Sequence, residues 1–162
     1  MLSFEELYLA YSPDVYRFAY WLSGDKGEAE DITSDTFVRA WMNFDSIRTE
    51  TLKAYLFTIT RNIYLELLRK KHIHQPLEES HPDAHPKVER VIEYQNELAA
   101  IEESLQAIPE MDRSAFILRV QYGLSYAEIA RVLKLSESAA KVKVHRTRKK
   151  LFTEYQERNS YE

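Results

Sequence analysis

A proline-rich segment near the middle of the chain divides the sequence into two parts. Three of the five prolines fall within residues 76–86, and the segment shows no apolar periodicity. Because proline fixes φ and has no backbone N–H, neither a long helix nor a central strand continues through such a stretch. The sequence therefore predicts a flexible linker over residues 76–90, between one domain at 1–75 and a second at 91–157.

The same part of the chain holds four of the five histidines, between His72 and Pro86. Zinc ligation needs closely fixed ligand geometry, which a proline-broken segment does not supply, so we interpret these histidines as part of a polar linker and predict no metal site. The chain has no cysteine, which excludes disulfides and thiolate metal ligands. It has no basic-then-apolar leader and no apolar run of membrane-spanning length, so we expect a cytoplasmic protein without direct membrane insertion.

Apolar residues repeat at helical spacing on both sides of the linker, and the chain has only three glycines. These features predict an all-α fold of two small helical domains, with three helices in the first and four in the second. Pro13 lies inside the first helix and is expected to kink or split it. The predicted helices span 4–22, 27–44 and 50–71 in the first domain, and 89–108, 110–123, 125–133 and 136–155 in the second.

Residues 140–150, AKVKVHRTRKK, are strongly basic in a chain whose net charge is −4. Apolar and polar residues alternate at the start of this segment, as in a strand, but Ser136 and the helix-forming residues after it favour a helix. On a helical wheel, one face holds Ala140, Val144, Thr147, Leu151 and Tyr155. The opposite face holds Ser138, Ala139, Val142, Arg146, Lys149 and Lys150, with Lys143 and His145 on its flanks.

A basic helix face is often only solvated, but two features favour contact with nucleic acid. A short helix that begins with the capping pair Ser125 and Glu128, a tight turn and a second helix with a basic face form the pattern of a helix-turn-helix. Val142 also lies among the basic side chains, where an apolar group suits contact with a thymine methyl. Because the chain as a whole is acidic, its positive charge is concentrated at this surface rather than spread.

Two parts of the chain resemble the extracytoplasmic-function (ECF) sigma factors of bacterial RNA polymerase, a group of the sigma-70 family. Residues 108–151, IPEMDRSAFILRVQYGLSYAEIARVLKLSESAAKVKVHRTRKKL, resemble region 4 of that family. Residues 29–41, AEDITSDTFVRAW, and residues 55–71, YLFTITRNIYLELLRKK, resemble region 2. The resemblance covers nearly the whole chain outside the linker. It implies a non-enzymatic initiation subunit, without cofactor or small-molecule substrate, that binds core RNA polymerase and promoter DNA.

The resemblance also implies two DNA-binding surfaces. The second helix of the helix-turn-helix would recognise the −35 element with Ser138, Ala139, Lys141, Val142, Lys143, His145, Arg146 and Lys149. The third helix and the loop before it would hold an unstacked base of the −10 element with Ile47, Arg48, Thr58, Arg61, Asn62 and Arg69. A helical wheel on which the stripe from Leu52 to Leu67 is buried likewise puts the four helical members of this set off the core.

The resemblance implies that the acidic start of the second helix binds the polymerase, through Glu30, Asp31, Ser34 and Asp35. Carboxylates in a first helical turn also simply compensate the helix dipole, so these residues have a structural interpretation as well. Phe37 and Trp41 on the same helix are expected in the core. By resemblance alone, we expect a membrane-bound anti-sigma factor as the regulator.

Some positions depart from the family pattern. Ser34 stands where the family usually has Gln, and Lys134 occupies a turn position that is often Gly, where a positive φ would cost a lysine on the order of 1 kcal/mol. Ala139 and Val142 replace residues that are more often Thr and Ser, so a promoter sequence cannot be transferred from relatives.

Two other classes of function compete with a sigma factor. A sigma mimic would sequester an anti-sigma factor without binding DNA, but it should lose the basic face and Asn62, and both are present. A stand-alone helix-turn-helix repressor would leave residues 1–75 without a role. An enzyme has little support, because the Ser, His and Asp residues form no nucleophile motif.

Overall fold

The computed structural model describes residues 2–48, 51–74 and 93–160. All regular elements in these ranges are helical, which confirms the all-α prediction. The helices are α1 Phe4–Ser23, α2 Lys26–Met42, α3 Leu52–His74, α4 Glu93–Gln106, α5 Glu110–Val120, α6 Tyr126–Leu133 and α7 Glu137–Ser160, and a 3₁₀ turn spans Phe44–Ser46.

The helices form two compact units, the first within residues 1–91 and the second within residues 92–162. The predicted linker at 76–90 lies outside the described residues, and the predicted domain limits therefore stay predictions. His72 and His74 belong to α3, which continues past its predicted end at residue 71, so these two histidines are not part of a linker. The last helix likewise continues past residue 155 to Ser160.

The first helix is continuous although it contains Pro13, so the predicted split does not occur. Proline has no N–H to donate to the carbonyl of Leu9 four residues earlier. Leu9 is 66% exposed, so water can reach this part of the helix and bond that carbonyl. The helix ends at Gly24, whose φ of 71° is the left-handed conformation that glycine adopts without steric cost.

The core of the first unit lies between α1, α2 and α3, each of which packs on the other two. The rings of Phe18 and Phe57 meet edge to face, with centroids 5.0 Å apart, and join α1 to α3. Between α2 and α3, the buried hydroxyls of Thr36 and Thr60 lie 3.3 Å apart. The buried residues of α3 include both Leu52 and Phe57, which lie on different sides of the helix, so two of its faces are buried.

The core of the second unit lies between α5, α6 and α7, and its fully buried side chains include Leu118, Ile129, Leu133 and Val144. The fourth helix is joined to this core by Arg113 of α5, which is 4% exposed. Its Nη1 donates to the carbonyl of Ile108 at 2.8 Å and, at longer range, to those of Leu105 and Gln106. Arg113 therefore caps the carboxyl end of α4, where helix carbonyls have no partner within the helix.

Replacing Arg113 with methionine is expected to lower the free energy of unfolding of the second unit by about 2–4 kcal/mol, because it keeps the apolar stem and leaves buried carbonyls unsatisfied. Denaturant unfolding of the full chain measures the change. Arg131→Met at an exposed position of α6 is the matched control and should stay within about 0.5 kcal/mol of the native chain. Equal stability of the two variants would show that the cap is not needed.

The turn after α6 is made by Lys134, which has φ 58° and ψ 49°. Its N–H and that of Leu135 both donate to the carbonyl of Ala130 and close the end of the helix. The φ at this position is therefore positive, which is the condition under which a lysine is strained.

Lys134→Gly is expected to raise the stability of the second unit by roughly 0.5–1 kcal/mol, since glycine adopts this conformation without the clash of a Cβ. A thermal melt followed by circular dichroism would detect it. Lys150→Gly, within the exposed side of α7, should do the reverse and lower stability by about 1 kcal/mol. A lower melting temperature in both variants would show that the backbone at Lys134 is not strained.

Candidate nucleic-acid and polymerase interfaces

The helix-turn-helix consists of α6, the turn at Lys134 and α7. The predicted capping box is present at the start of α6, where the Oγ of Ser125 accepts from the N–H of Glu128 at 3.1 Å and the Glu128 carboxylate accepts from the N–H of Ser125 at 2.9 Å. At the start of α7, the Oγ of Ser136 accepts from the N–H of Ala139 at 3.1 Å. These caps set where the second helix begins and hence which residues form its outer face.

The outer face of α7 is the surface formed by residues 138, 139, 141–143, 145, 146 and 149, the set that the resemblance implied for the −35 element. Ala140, Val144 and Thr147 are buried on the opposite side. Val142 is 56% exposed, so the apolar side chain does point outward among basic residues. Ser138, Lys141, His145, Arg146 and Lys149 are also exposed, and Ala139 is half-buried.

Two basic residues of this face are held by a carboxylate of α5 that sequence analysis did not single out. Asp112 is 7% exposed. Arg146 donates to it from Nη2 at 2.9 Å and from Nε at 3.2 Å, and the Lys143 ammonium lies 3.1 Å from the same carboxylate. Lys143 keeps only 20% of its side chain exposed, whereas Arg146 keeps 59%. Arg146 is therefore paired with Asp112 and still exposed enough to contact another molecule.

The Asp112 carboxylate is ionised in this arrangement. Burial alone would raise its pKa, but the hydrogen bonds from Arg146 and Lys143 and their positive charges outweigh burial and hold the pKa of Asp112 below its ordinary value. The pairing between α5 and α7 is therefore fully present at neutral pH and is lost only as the pH falls through that lowered value.

The surface predicted for the −10 element divides into exposed and buried members. Thr58, Asn62 and Arg69 share one side of α3; the first two are half-buried and Arg69 is exposed. Before this helix, Arg48 is exposed, and Ile47 is partly buried against the core cluster that includes Leu52 and Leu56. These five residues stay compatible with a DNA-facing surface.

Arg61 does not lie off the core, and its predicted placement is wrong. It is 5% exposed. The wheel placed it opposite the apolar stripe of α3, but that side of the helix also packs within the bundle, beside the buried Ala54, Phe57 and Tyr64. A side chain buried to this degree does not present its guanidinium to a DNA backbone.

The second helix carries an exposed stripe that is longer than the predicted polymerase contact. Its acidic and polar start, formed by Glu30, Asp31, Ser34 and Asp35, is exposed throughout. The stripe continues along the same side with Val38, Trp41 and Met42, which are 56%, 61% and 75% exposed. We call these seven residues the α2 stripe. Helical spacing from Asp31 could have identified its apolar half.

Trp41 was expected in the core, and that prediction is wrong. Phe37 is buried as predicted, at 4% exposure. The Trp41 ring instead meets the ring of Phe4 of α1 in a T-shaped contact, with centroids 4.9 Å apart, and more than half of Trp41 stays exposed. A large apolar side chain in this position is typical of a protein contact.

The second unit has an apolar groove between α4, α5 and α7, with a volume of about 380 Å³. Ile101, Phe116, Leu151, Phe152 and Tyr155 line it. Tyr155 lines this groove together with Leu151, its neighbour on the predicted inner face of α7, and it is 59% exposed. Beyond Leu151 the helix extends past the core, and its inner side faces this groove instead.

Within residues 2–48, 51–74 and 93–160, no group of three or more His, Asp or Glu side chains is arranged to hold a metal ion. None of the helices in those ranges combines the length and apolar character needed to cross a membrane.

The second unit contains a helix-turn-helix whose second helix has a basic outer face, which is the pattern of a DNA-binding protein. The first unit adds an exposed stripe on α2. Comparison with known families narrows this class. The profile of Sigma-70 region 2 matches residues 7–72, and that of Sigma-70, region 4 matches residues 98–151. The chain belongs to the ECF RNA polymerase sigma factors of the sigma-70 family, a non-enzymatic class that directs transcription initiation. The resemblance seen in the sequence is thereby confirmed.

Individual relatives agree with this assignment. The chain is 31% identical over 156 residues to the ECF RNA polymerase sigma factor SigE of Mycolicibacterium smegmatis, covering 93% of this chain and 61% of that relative. It is 31% identical over 150 residues to EcfG of Rhodopseudomonas palustris, covering 88% and 80%. Among solved structures, the sigma factor RpoE of Bartonella quintana, in complex with the anti-sigma factor NepR, is 29% identical with a TM-score of 0.75, covering 91% and 93%.

Proposed function

We propose that this chain is an alternative sigma factor that binds core RNA polymerase and directs initiation at promoters with their own −35 and −10 elements. The observation that chiefly supports this is the presence of both matched regions in one chain, in the order of the family. The protein acts in the cytoplasm, has no catalytic activity of its own and needs no cofactor.

The −35 element is bound by the outer face of α7, which enters the major groove. Val142, with Ala139 beside it, makes apolar contacts to bases, and their identity sets the preferred sequence. Arg146 contacts a phosphate or a guanine with the part of its guanidinium that Asp112 does not hold, and Lys149 contacts phosphate. Exposure of Val142 and Arg146 supports this assignment.

The −10 element is held as an unstacked strand by the side of α3 that carries Thr58, Asn62 and Arg69, with Ile47 and Arg48 before the helix. Asn62 hydrogen-bonds the edge of a base, and the two arginines follow the backbone. We leave Arg61 out of this surface because it is buried. Holding one unstacked base favours opening of the duplex near the start site.

Core polymerase docks on the α2 stripe. The four polar residues contribute charge complementarity, which increases the rate of association, and the apolar half contributes the buried centre of the contact. The exposure of more than half of Val38, Trp41 and Met42 in the free chain supports this proposal.

We infer that an anti-sigma factor is a second partner, because the RpoE structure that this chain resembles contains one. In a reconstituted transcription reaction, such a protein should abolish initiation by polymerase carrying this chain and leave initiation by a housekeeping sigma factor unchanged.

Transcription in vitro, with purified core polymerase and a library of promoters, tests the main proposal. The chain should direct start sites that share a −35 and a −10 sequence and that core enzyme alone does not use. If no start site appears while an anti-sigma factor is still bound, the chain is instead a sigma mimic.

A further inference from the structure

Asp112 connects the first turn of α5 to the outer face of α7. Both oxygens of its carboxylate accept from Nη2 of Arg146 at 2.9 Å, and one of them also accepts from Nζ of Lys143 at 3.1 Å. Its backbone carbonyl accepts from the Oγ1 of Thr147 at 3.3 Å. Asp112 thus contacts three residues of α7 while it is itself buried.

This pairing uses only one edge of the guanidinium. Arg146 binds the carboxylate through Nε and Nη2. Within the described part of the chain, its Nη1 donates no hydrogen bond, and 59% of the side chain is exposed. Because the guanidinium is planar, holding one edge sets the direction of the other. The arginine is therefore oriented before any DNA arrives.

We propose that Asp112 is a positioning residue for promoter recognition, which holds Arg146 so that its open edge meets DNA and keeps Lys143 beside it. This rests on the proposed role of the outer face of α7 in binding the −35 element. Asp112 itself does not touch the DNA, since it is buried under the helix.

The arrangement has two consequences for binding. An arginine held in place loses less conformational freedom when it binds, which strengthens the correct complex. The carboxylate also offsets one of the two positive charges, so it weakens attraction to any DNA regardless of sequence. Asp112 is thus expected to increase the ratio of specific to non-specific binding.

Asp112→Asn tests the proposal, because it keeps the size of the side chain and removes its charge. Polymerase carrying this variant is used to transcribe a library-selected promoter and a copy with a scrambled −35 element. We expect the preference for the intact promoter to fall about 10-fold, the loss of roughly one good polar contact. For the full chain alone on a −35 duplex, the slope of log affinity against log salt should steepen by about 0.9, as for one more phosphate contact.

Glu157→Gln is the matched control, since it also removes one negative charge, at an exposed position of α7 beyond the outer face. It should leave the promoter preference unchanged. A double-mutant cycle with Arg146→Gln separates positioning from general damage. If Asp112 acts through Arg146, Asp112→Asn should have little further effect on preference in the Arg146→Gln background, whereas independent damage would add to it.

Unchanged promoter preference in a folded Asp112→Asn variant would overturn the proposal. If that variant does not fold, Asp112→Glu takes its place: it keeps the charge and displaces the carboxylate by one methylene, so preference should fall while the salt slope stays constant. A promoter preference in Asp112→Glu equal to that of the native chain would also overturn the proposal. Failure of the native chain to prefer an intact −35 element would instead contradict the proposed function of α7.

Discussion

Val142→Glu is expected to abolish use of the −35 element and to leave binding to core polymerase intact. Val142 is 56% exposed on the outer face of α7, so glutamate adds no strain to the core. Against DNA it replaces an apolar contact with a negative charge beside phosphates, which costs several kcal/mol and lowers promoter-specific initiation on the order of 100-fold or more. Run-off transcription from a library-selected promoter measures the loss, and co-elution with core polymerase measures binding.

Val120→Glu is the control for this experiment, because Val120 on α5 is equally exposed, at 53%, and lies outside the outer face of α7. It should transcribe like the native chain. Val142→Ala, which removes the apolar contact without adding charge, should give a loss of about 10-fold. If the Val142→Glu chain still preferred the intact promoter, another surface would have to bind the −35 element.

Trp41→Ala should weaken binding to core polymerase by roughly 30-fold to 1,000-fold, the effect of removing an aromatic residue from the centre of a protein interface. The fold should tolerate this change, since the ring is 61% exposed and makes its main contact with Phe4. Titration of labelled full-length chain with core polymerase measures the affinity, and a thermal melt checks the fold.

The matched control is Leu9→Ala, which removes an apolar side chain of similar exposure, 66%, from α1. Its affinity for core polymerase should change less than threefold, within the range typical of residues outside an interface centre. Equal weakening by both variants would point to non-specific loss of apolar surface. Native affinity in Trp41→Ala would restrict the docking surface to the acidic start of α2.

Much of the fold was accessible from local sequence signals. The capping pair Ser125–Glu128 and the break at Gly24 each depend on residues within one helical turn. The outward direction of Val142 follows from the periodicity of α7, because the buried residues Ala140, Val144 and Thr147 occupy the opposite side of the helix. In these places, backbone geometry alone decides the outcome.

Trp41 and Arg61 illustrate where such signals fail. A wheel orders side chains around one helix but does not say how many neighbours that helix has. Buried residues lie on two sides of α3, and Arg61 is on the side that lacks the apolar stripe. The second helix has apolar residues on two sides; only one side faces the bundle, and Trp41 lies on the other. Hydrophobicity alone does not distinguish a core position from a docking position.

By itself, the sequence determined the two helical domains, the helix-turn-helix and the valine on its basic outer face, because caps and helical periodicity are local properties. Only the tertiary structure decided which basic side chains of that face are paired with a carboxylate. Asp112 lies 31 residues before Lys143 and 34 before Arg146, and in the sequence it resembles any acid in a first helical turn. Packing of α5 against α7 brings the three together, and a contact between distant residues has no signature in either helix alone.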